Sequence, residues 1–146
     1  MAPDARDQGL EAVAAKRYQD AIEHLAGIVR GADSLVRGKA GLDGLKAQLD
    51  ATGLLDGPRT FNLTWHDWMN LESQILISQA IAGAATARED SRGAHYRTDF
   101  PETRDIENSR NTVVRLNGCL IETGEQAVKF TRVKPGETLI EKAAAE

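Results

Sequence analysis

The sequence predicts a mainly α-helical fold, in which three helices are followed by a carboxy-terminal β-hairpin or small meander. Apolar residues recur at helical spacing up to about residue 90, which is typical of amphipathic helices. Beyond residue 111 the chain alternates short β-rich runs with turn pairs such as Asn117–Gly118. The 146 residues fit one domain of ordinary size.

The pattern divides the chain into five segments. These are a flexible amino-terminal segment at 1–8, a three-helix bundle at 9–90, an ordered loop at 91–110, a β-hairpin at 111–134 and a carboxy-terminal tail at 135–146.

The first predicted helix covers residues 9–37 and ends at Gly38. Its apolar stripe has spacings of three and four residues, which place its members on one helix face. The stripe consists of Tyr18, Ile22, Leu25, Val29, Ala32 and Val36. The glycine-rich stretch 38–44 is then interpreted as a helix–helix connection, because it lacks the spacing of a phosphate-binding loop.

The second predicted helix covers residues 40–52 and ends at Gly53, since glycine accepts the left-handed conformation that stops a helix. The third helix is predicted from Trp65 to Asp90, with Thr64 as its N-cap and Asp67 facing the helix dipole. Its core-facing stripe is Trp68, Leu71, Ile75, Ser78, Ala82 and Ala85, with Ile77, Ile81 and Ala84 widening the apolar surface. A helix this apolar is expected to have neighbours on more than one side.

The carboxy-terminal third is predicted to form strands. Residues 112–116 give one strand and Asn117–Gly118 gives a turn. Residues 119–122 give a short second strand, Thr123–Gly124 gives another turn, and residues 127–133 give a third strand that ends at Pro135–Gly136.

Composition excludes several classes of function. The net charge of -4 lacks the basic excess of a nucleic-acid module, so no nucleic-acid partner is predicted. Cys119 is the single cysteine, which rules out an internal disulfide and favours a reducing compartment. The amino terminus lacks the apolar run of a signal peptide, and no stretch is apolar enough to span a bilayer. We therefore expect a cytoplasmic location, and leave open a peripheral attachment to the membrane through a parent complex.

The sequence offers weak candidates for chemistry. Both glycine-rich nucleotide fingerprints are missing, so no cofactor-binding residue is assigned. The three histidines lie on different segments, so no metal site is predicted. Ser91 and His95 lie four residues apart, but a catalytic triad needs a third orienting group and an oxyanion hole. No catalytic residue is therefore assigned.

The stretch between residues 88 and 115 carries six arginines and six carboxylates, which balance in charge. That balance favours ion pairs and bidentate arginine contacts, within the domain or across an interface. Arg92 and Arg97 are the two arginines that we expect to be ordered.

Residues 91–102, which read SRGAHYRTDFPE, resemble a signature near the carboxy end of the succinate dehydrogenase and fumarate reductase flavoprotein family, which also contains L-aspartate oxidase. Trp68–Leu71 resembles the family's aromatic/Asn-Leu entry to the preceding helix. Asn111–Val113 resembles the family's His-Thr-Leu strand start, with Asn111 in the place of His. The likeness covers residues 18–133, most of the chain.

The resemblance implies a spectrin-repeat-like three-helix domain that packs on the FAD domain of an oxidoreductase and is not catalytic alone. FAD would belong to the parent flavoprotein, whose FAD and capping domains would be the partners of this chain. An iron–sulfur subunit is a further expected partner, and a homo-oligomer is expected if the domain is excised. The interdomain interface is predicted at Ser91, Arg92, His95, Arg97 and Trp68.

Two alternatives stay open at this stage. The chain could act alone as an enzyme, with His95 or Arg97 in acid–base catalysis. It could instead be an independent small interaction protein with the same fold. Within the family, the sequence does not separate succinate, fumarate and aspartate as the parent's substrate.

Overall fold

The computed structural model describes residues 29–53 and 60–137. Along the described residues run β1 (Val29–Arg30), α1 (Ala32–Thr52), α2 (Leu63–Ala87), β2 (Tyr96–Arg97), β3 (Arg110–Asn117) and β4 (Leu120–Ala127). β1 pairs with β2 in parallel, and β3 pairs with β4 in an antiparallel hairpin. A mainly helical chain with carboxy-terminal strands is therefore present. The predicted three-helix bundle stays a prediction, because most of its first helix, residues 9–28, lies outside the described residues.

α1 corrects the prediction of two helices separated at Gly38. The chain enters α1 through Gly31, where the Ser34 hydroxyl accepts from the Gly31 N–H at 3.0 Å and donates to the Gly31 carbonyl at 2.8 Å. Gly38 is buried within the helix instead of ending it. The buried stripe is Leu35, Gly38, Leu42, Leu45 and Leu49, at spacings of three and four. Burial of this continuous stripe outweighs the modest cost of glycine in a helix, about 1 kcal/mol per residue.

The predicted apolar stripe of the first helix is also wrong at its carboxy end, because α1 begins only at Ala32. Val29 lies in β1 and Val36 lies on α1, and both side chains are exposed. The end of the second predicted helix is confirmed, since Gly53 adopts a φ of 61° and its N–H bonds to the Leu49 carbonyl.

α2 follows the predicted third helix, with shifted ends. Asn62 is the N-cap, because its side chain accepts from the Trp65 N–H at 3.0 Å, and the predicted cap Thr64 lies inside the helix. The predicted stripe is confirmed: Ile75, Ser78, Ala82 and Ala85 are buried, and Trp68 and Leu71 pack against the core. Asp43 contacts Gln79, and Lys46 contacts Glu72 further back along α2, so the two helices run antiparallel.

The hairpin is confirmed, but the meander is wrong. The turn consists of Gly118 and Cys119, one position later than the predicted pair Asn117–Gly118, because Asn117 still pairs with Leu120 in the ladder. Gly118 adopts a φ of 61°. The predicted turn at Thr123–Gly124 is part of β4, where Gly124 pairs with Val113. Residues 128–133, most of the third strand that was expected, are not a strand. The side-by-side pairing of β3 and β4 over eight residues overrides the local turn signal of Thr-Gly.

Candidate functional site

The SRGAH segment, residues 91–95, follows the carboxy end of α2 and folds back on itself. Arg92 and His95 exchange two backbone hydrogen bonds, at 2.8 and 3.1 Å. Gly93 lies between them with a φ of 59°, a conformation that glycine adopts at little cost. The resulting tight turn brings β2 alongside β1, which places the segment between the start of α1 and the end of α2.

Ser91 fixes this turn from the inside. Its hydroxyl accepts from the Arg97 N–H at 2.8 Å and donates to the Phe100 carbonyl at 2.7 Å, and the residue is only 6% exposed. Its own carbonyl accepts from the Thr103 hydroxyl at 2.7 Å. The hydroxyl hydrogen is therefore engaged by a carbonyl and is not directed at His95, so the pair lacks the geometry of a nucleophile and its base.

Arg97 closes the carboxy end of α2. Its guanidinium donates to the carbonyls of Ala85, Thr86 and Arg88 at 2.8, 3.1 and 3.2 Å. These carbonyls belong to the last turn of a helix, where partners are otherwise missing and the helix dipole attracts a cation. At 3% exposure Arg97 is the most buried charged residue in the described part of the chain.

Asp99 balances the buried charge of Arg97. The carboxylate accepts two guanidinium N–H groups in a fork, at 2.8 and 2.6 Å. The Phe100 ring lies 5.0 Å from the guanidinium carbon and adds a cation–π contact. The hydrogen bonds from Arg97 hold the pKa of Asp99 below its usual range. Both groups are therefore ionised at neutral pH. Arg97 bonds to Asp99 and to the carbonyls at the end of α2, so the pair stabilises the fold.

Arg92 ties the SRGAH segment to the loop before β3. It donates to the Ser109 hydroxyl at 2.7 Å and to the Arg104 carbonyl at 2.9 Å. Its Nε–H is buried and has no hydrogen-bond partner among the described residues.

His95 joins the SRGAH segment to β1. Its Nδ1 lies 2.8 Å from the Nη1 of Arg30, and an arginine can only donate, so His95 accepts there and carries its proton on Nε2. Burial lowers the pKa of His95, the nearby Arg88 carbonyl opposes this effect, and the cations Arg30, Arg88 and Arg97 lower it further. The imidazole is therefore held neutral. Its Nε2–H is buried and makes no hydrogen bond of normal length and angle within residues 29–53 and 60–137, although the Arg88 carbonyl lies near the ring.

Trp68 is not brought together with the other predicted interface residues. It lies 17 positions before Ala85 on α2, which corresponds to roughly 26 Å along the helix axis. Its ring packs against the core, and its buried Nε1–H has no partner in the described residues. The structure thus unites Ser91, Arg92, His95 and Arg97 at one end of α2 and leaves Trp68 near the other.

Several residues of this cluster were not predicted, among them Arg30, Asp99 and Ser109. Asp99 carried a usable signal, because an Arg and an Asp two positions apart in an extended segment point to the same side. Arg30 carried none, since its contact with His95 spans 65 residues.

A groove of about 470 Å³ lies beside the SRGAH segment. Its arginines are already paired, Arg88 with Asp90, Arg104 with Glu89 and Arg110 with Glu125. FAD needs backbone N–H groups of a glycine-rich turn at its pyrophosphate. The described residues at this groove do not fit FAD, because its cations are neutralised and no such turn lines it.

The described residues also offer neither a metal site nor a membrane span. No group of His, Cys, Asp and Glu there could hold a metal ion. Neither α1 nor α2 is long and apolar enough to cross a membrane.

The model of the family described as fumarate reductase flavoprotein C-term matches residues 15–140. The chain belongs to this family. It is thus a carboxy-terminal domain of the succinate dehydrogenase and fumarate reductase flavoprotein type, and the resemblance that the SRGAH segment carried is confirmed.

Named relatives extend this result. A fumarate reductase flavoprotein subunit of Mycobacterium tuberculosis is 34% identical over 133 residues, which are 89% of this chain and 23% of that subunit. An L-aspartate oxidase of Streptomyces coelicolor is 34% identical over 92 residues, which are 63% of this chain and 16% of that enzyme. The solved structure of Mycobacterium smegmatis Sdh1 in complex with UQ1 is 27% identical, with a TM-score of 0.71 over 82% of this chain and 20% of that one. The chain therefore spans about a fifth of the length of these proteins.

Proposed function

We propose that this domain is the docking module of an FAD-dependent oxidoreductase that interconverts succinate and fumarate. It packs on the FAD domain, supports it and takes no part in the chemistry. The proposal rests on the hydrogen bonds that tie the SRGAH segment to its neighbours. These bonds form one joint that holds the end of α2 against β1. A joint held by this many internal hydrogen bonds suits a rigid platform better than a catalytic centre.

The unpaired donors at this joint support its place at a domain boundary. Arg92 Nε–H and His95 Nε2–H are buried without partners in the described residues, and such donors usually have an acceptor in native proteins. Both side chains are half-buried, at the rim of the domain. An oxygen atom of the FAD domain would satisfy them, with Ser91 and Arg97 holding them in position.

The apolar side of α2 supports the predicted three-helix arrangement. Ile77 and Ile81 lie one turn apart and are 60% and 51% exposed. The first helix was predicted over residues 9–37, and the apolar residues of its part that lies outside the described residues would pack against such a surface and complete a spectrin-repeat-like bundle. This amino-terminal helix, which would be the third member of the bundle beside α1 and α2, is part of the proposal.

The cofactor and the other partners are proposed from the family to which the chain belongs. FAD is bound by the parent flavoprotein, and the FAD and capping domains are the direct partners. An iron–sulfur subunit joins the parent, which lies in the cytoplasm at the membrane surface. The L-aspartate oxidase of S. coelicolor, at 34% identity, favours a second candidate, in which the parent oxidises aspartate.

A chimera tests the docking role. The carboxy-terminal region of the M. tuberculosis subunit is deleted, or is replaced by residues 1–146 of this chain. We expect the deletion form to lose FAD on gel filtration and the chimera to retain it, measured by flavin absorbance. An unrelated helical domain of similar length at the same junction is the control. A chimera that loses FAD as fast as the deletion form would contradict the proposal.

A further inference from the structure

Phe61 has an unusual backbone and an unusual environment. It is the only non-glycine residue with a positive φ in the described part of the chain, at 57°. L-residues with a large side chain avoid this conformation, because the Cβ atom crowds the following carbonyl. Its side chain is 96% exposed, so packing against the described residues does not compensate for the strain. Strained residues of this kind are concentrated at functional and binding sites.

The surroundings of Phe61 form a small apolar surface at the start of α2. Leu63 is 76% exposed, and the rings of Trp65 and His66 meet edge to face at 5.1 Å. Residues 60–66 contain no Lys, Arg, Asp or Glu, and Arg59 and Asp67 flank this uncharged stretch. Aromatic residues in uncharged surroundings are typical of the centre of an interface, where an anchor residue is fully desolvated.

We propose that Phe61 is an anchor that inserts into an apolar pocket of the flavin-binding part of the same polypeptide. The inference rests on the proposed function and adds a second docking contact, at the end of α2 opposite the SRGAH segment. Leu63 forms the edge of the anchor, and the Asn62 cap fixes the direction in which Phe61 projects.

The surface area that Phe61 can bury indicates which kind of partner it contacts. One phenylalanine covers roughly 200 Å², whereas a stable complex of separate proteins needs about 1,000 Å² or more. A second copy of this chain would therefore be held weakly by this surface. In the relatives the equivalent domain is about a fifth of a longer polypeptide, as with the 23% of the M. tuberculosis subunit. A covalently attached neighbour is present at a high effective concentration, so a small anchor suffices for it.

The substitution Phe61→Asn should act differently in the separate chain and in the domain docked within the chimera. Asparagine tolerates a positive φ, so F61N relieves strain without loss of buried contacts in the separate 146-residue chain. We expect the melting temperature of that chain to stay the same or to rise. In the chimera with the M. tuberculosis subunit, the same change removes the anchor. We expect trypsin cleavage at the junction, which reports the undocked population, to accelerate by on the order of thirtyfold.

Leu120→Ser is the matched control, because Leu120 is an apolar residue that is 69% exposed and lies beside the hairpin turn, not among residues 60–66. We expect L120S to leave the cleavage rate of the chimera unchanged. FAD loss by the unmodified chimera would refute the proposed function. FAD retention together with equal cleavage of the F61N and unmodified chimeras would overturn the anchor alone. Self-association of the separate chain that F61N abolishes would assign the anchor to a second copy and would also overturn it.

Discussion

Replacement of Arg97 by methionine should destabilise the domain by about 3 kcal/mol, because it removes a buried cation from five hydrogen bonds. Three of those bonds end at helix carbonyls and two at Asp99. Removal of one partner from a buried ion pair costs about 3–5 kcal/mol. Asp99 keeps 31% of its side chain exposed and regains water, which places the expected value at the lower end of that range.

The assay is urea denaturation of the 146-residue chain at pH 7, monitored by far-ultraviolet circular dichroism. Arg97→Lys retains the charge but loses the planar fork, so we expect it to recover only about 1 kcal/mol. Arg104→Met is the control, since Arg104 forms an exposed pair with Glu89 at 3.0 Å and should cost less than about 1 kcal/mol. Equal midpoints and slopes for R97M and R104M would refute the assignment of Arg97 as the closure of α2.

Two further predictions concern the joint between β1 and β2. Because the pKa of His95 is lowered in the folded state, its contribution to stability is full above about pH 6.5 and is lost as the pH falls through the folded pKa. Unfolding midpoints at pH 7.5 and 5.5 should differ less in His95→Asn than in the unmodified chain, and an identical pH dependence would contradict this. A Cβ atom added at Gly31 would lie 2.8 Å from the Thr98 Oγ1, so Gly31→Ala should destabilise by about 1 kcal/mol or more. Thr98→Ala should reduce that cost in a double-mutant cycle, and simple additivity of the two changes would argue against the close approach.

The sequence predicted the elements whose signals are local. The stripe of α2, the end of α1 at Gly53 and the turn at Gly118 were recognisable because spacing and glycine chemistry act within a few residues. The prediction was wrong at Gly38, because the residue type alone does not distinguish a glycine that ends a helix from a glycine that packs inside one. Only the position of neighbouring residues on the same face distinguishes them.

The candidate site was predicted in part, for a related reason. The SRGAH segment was recognised from its letters, and Arg97 was expected to be ordered. The partners of Arg97 were not predictable, because three of them are backbone carbonyls whose direction depends on where α2 ends. The contact between Arg30 and His95 depends on a tertiary arrangement that no local pattern reports.

The parallel contact of β1 with β2 also bears on how the domain forms. Thr98 bonds to Arg30 across 68 positions of the chain, so this contact closes a loop that contains both α1 and α2. The entropy of closing so long a loop delays the contact until the helices have paired and shortened the distance. During synthesis, the start of α1 is therefore fixed only after residue 98 has left the ribosome.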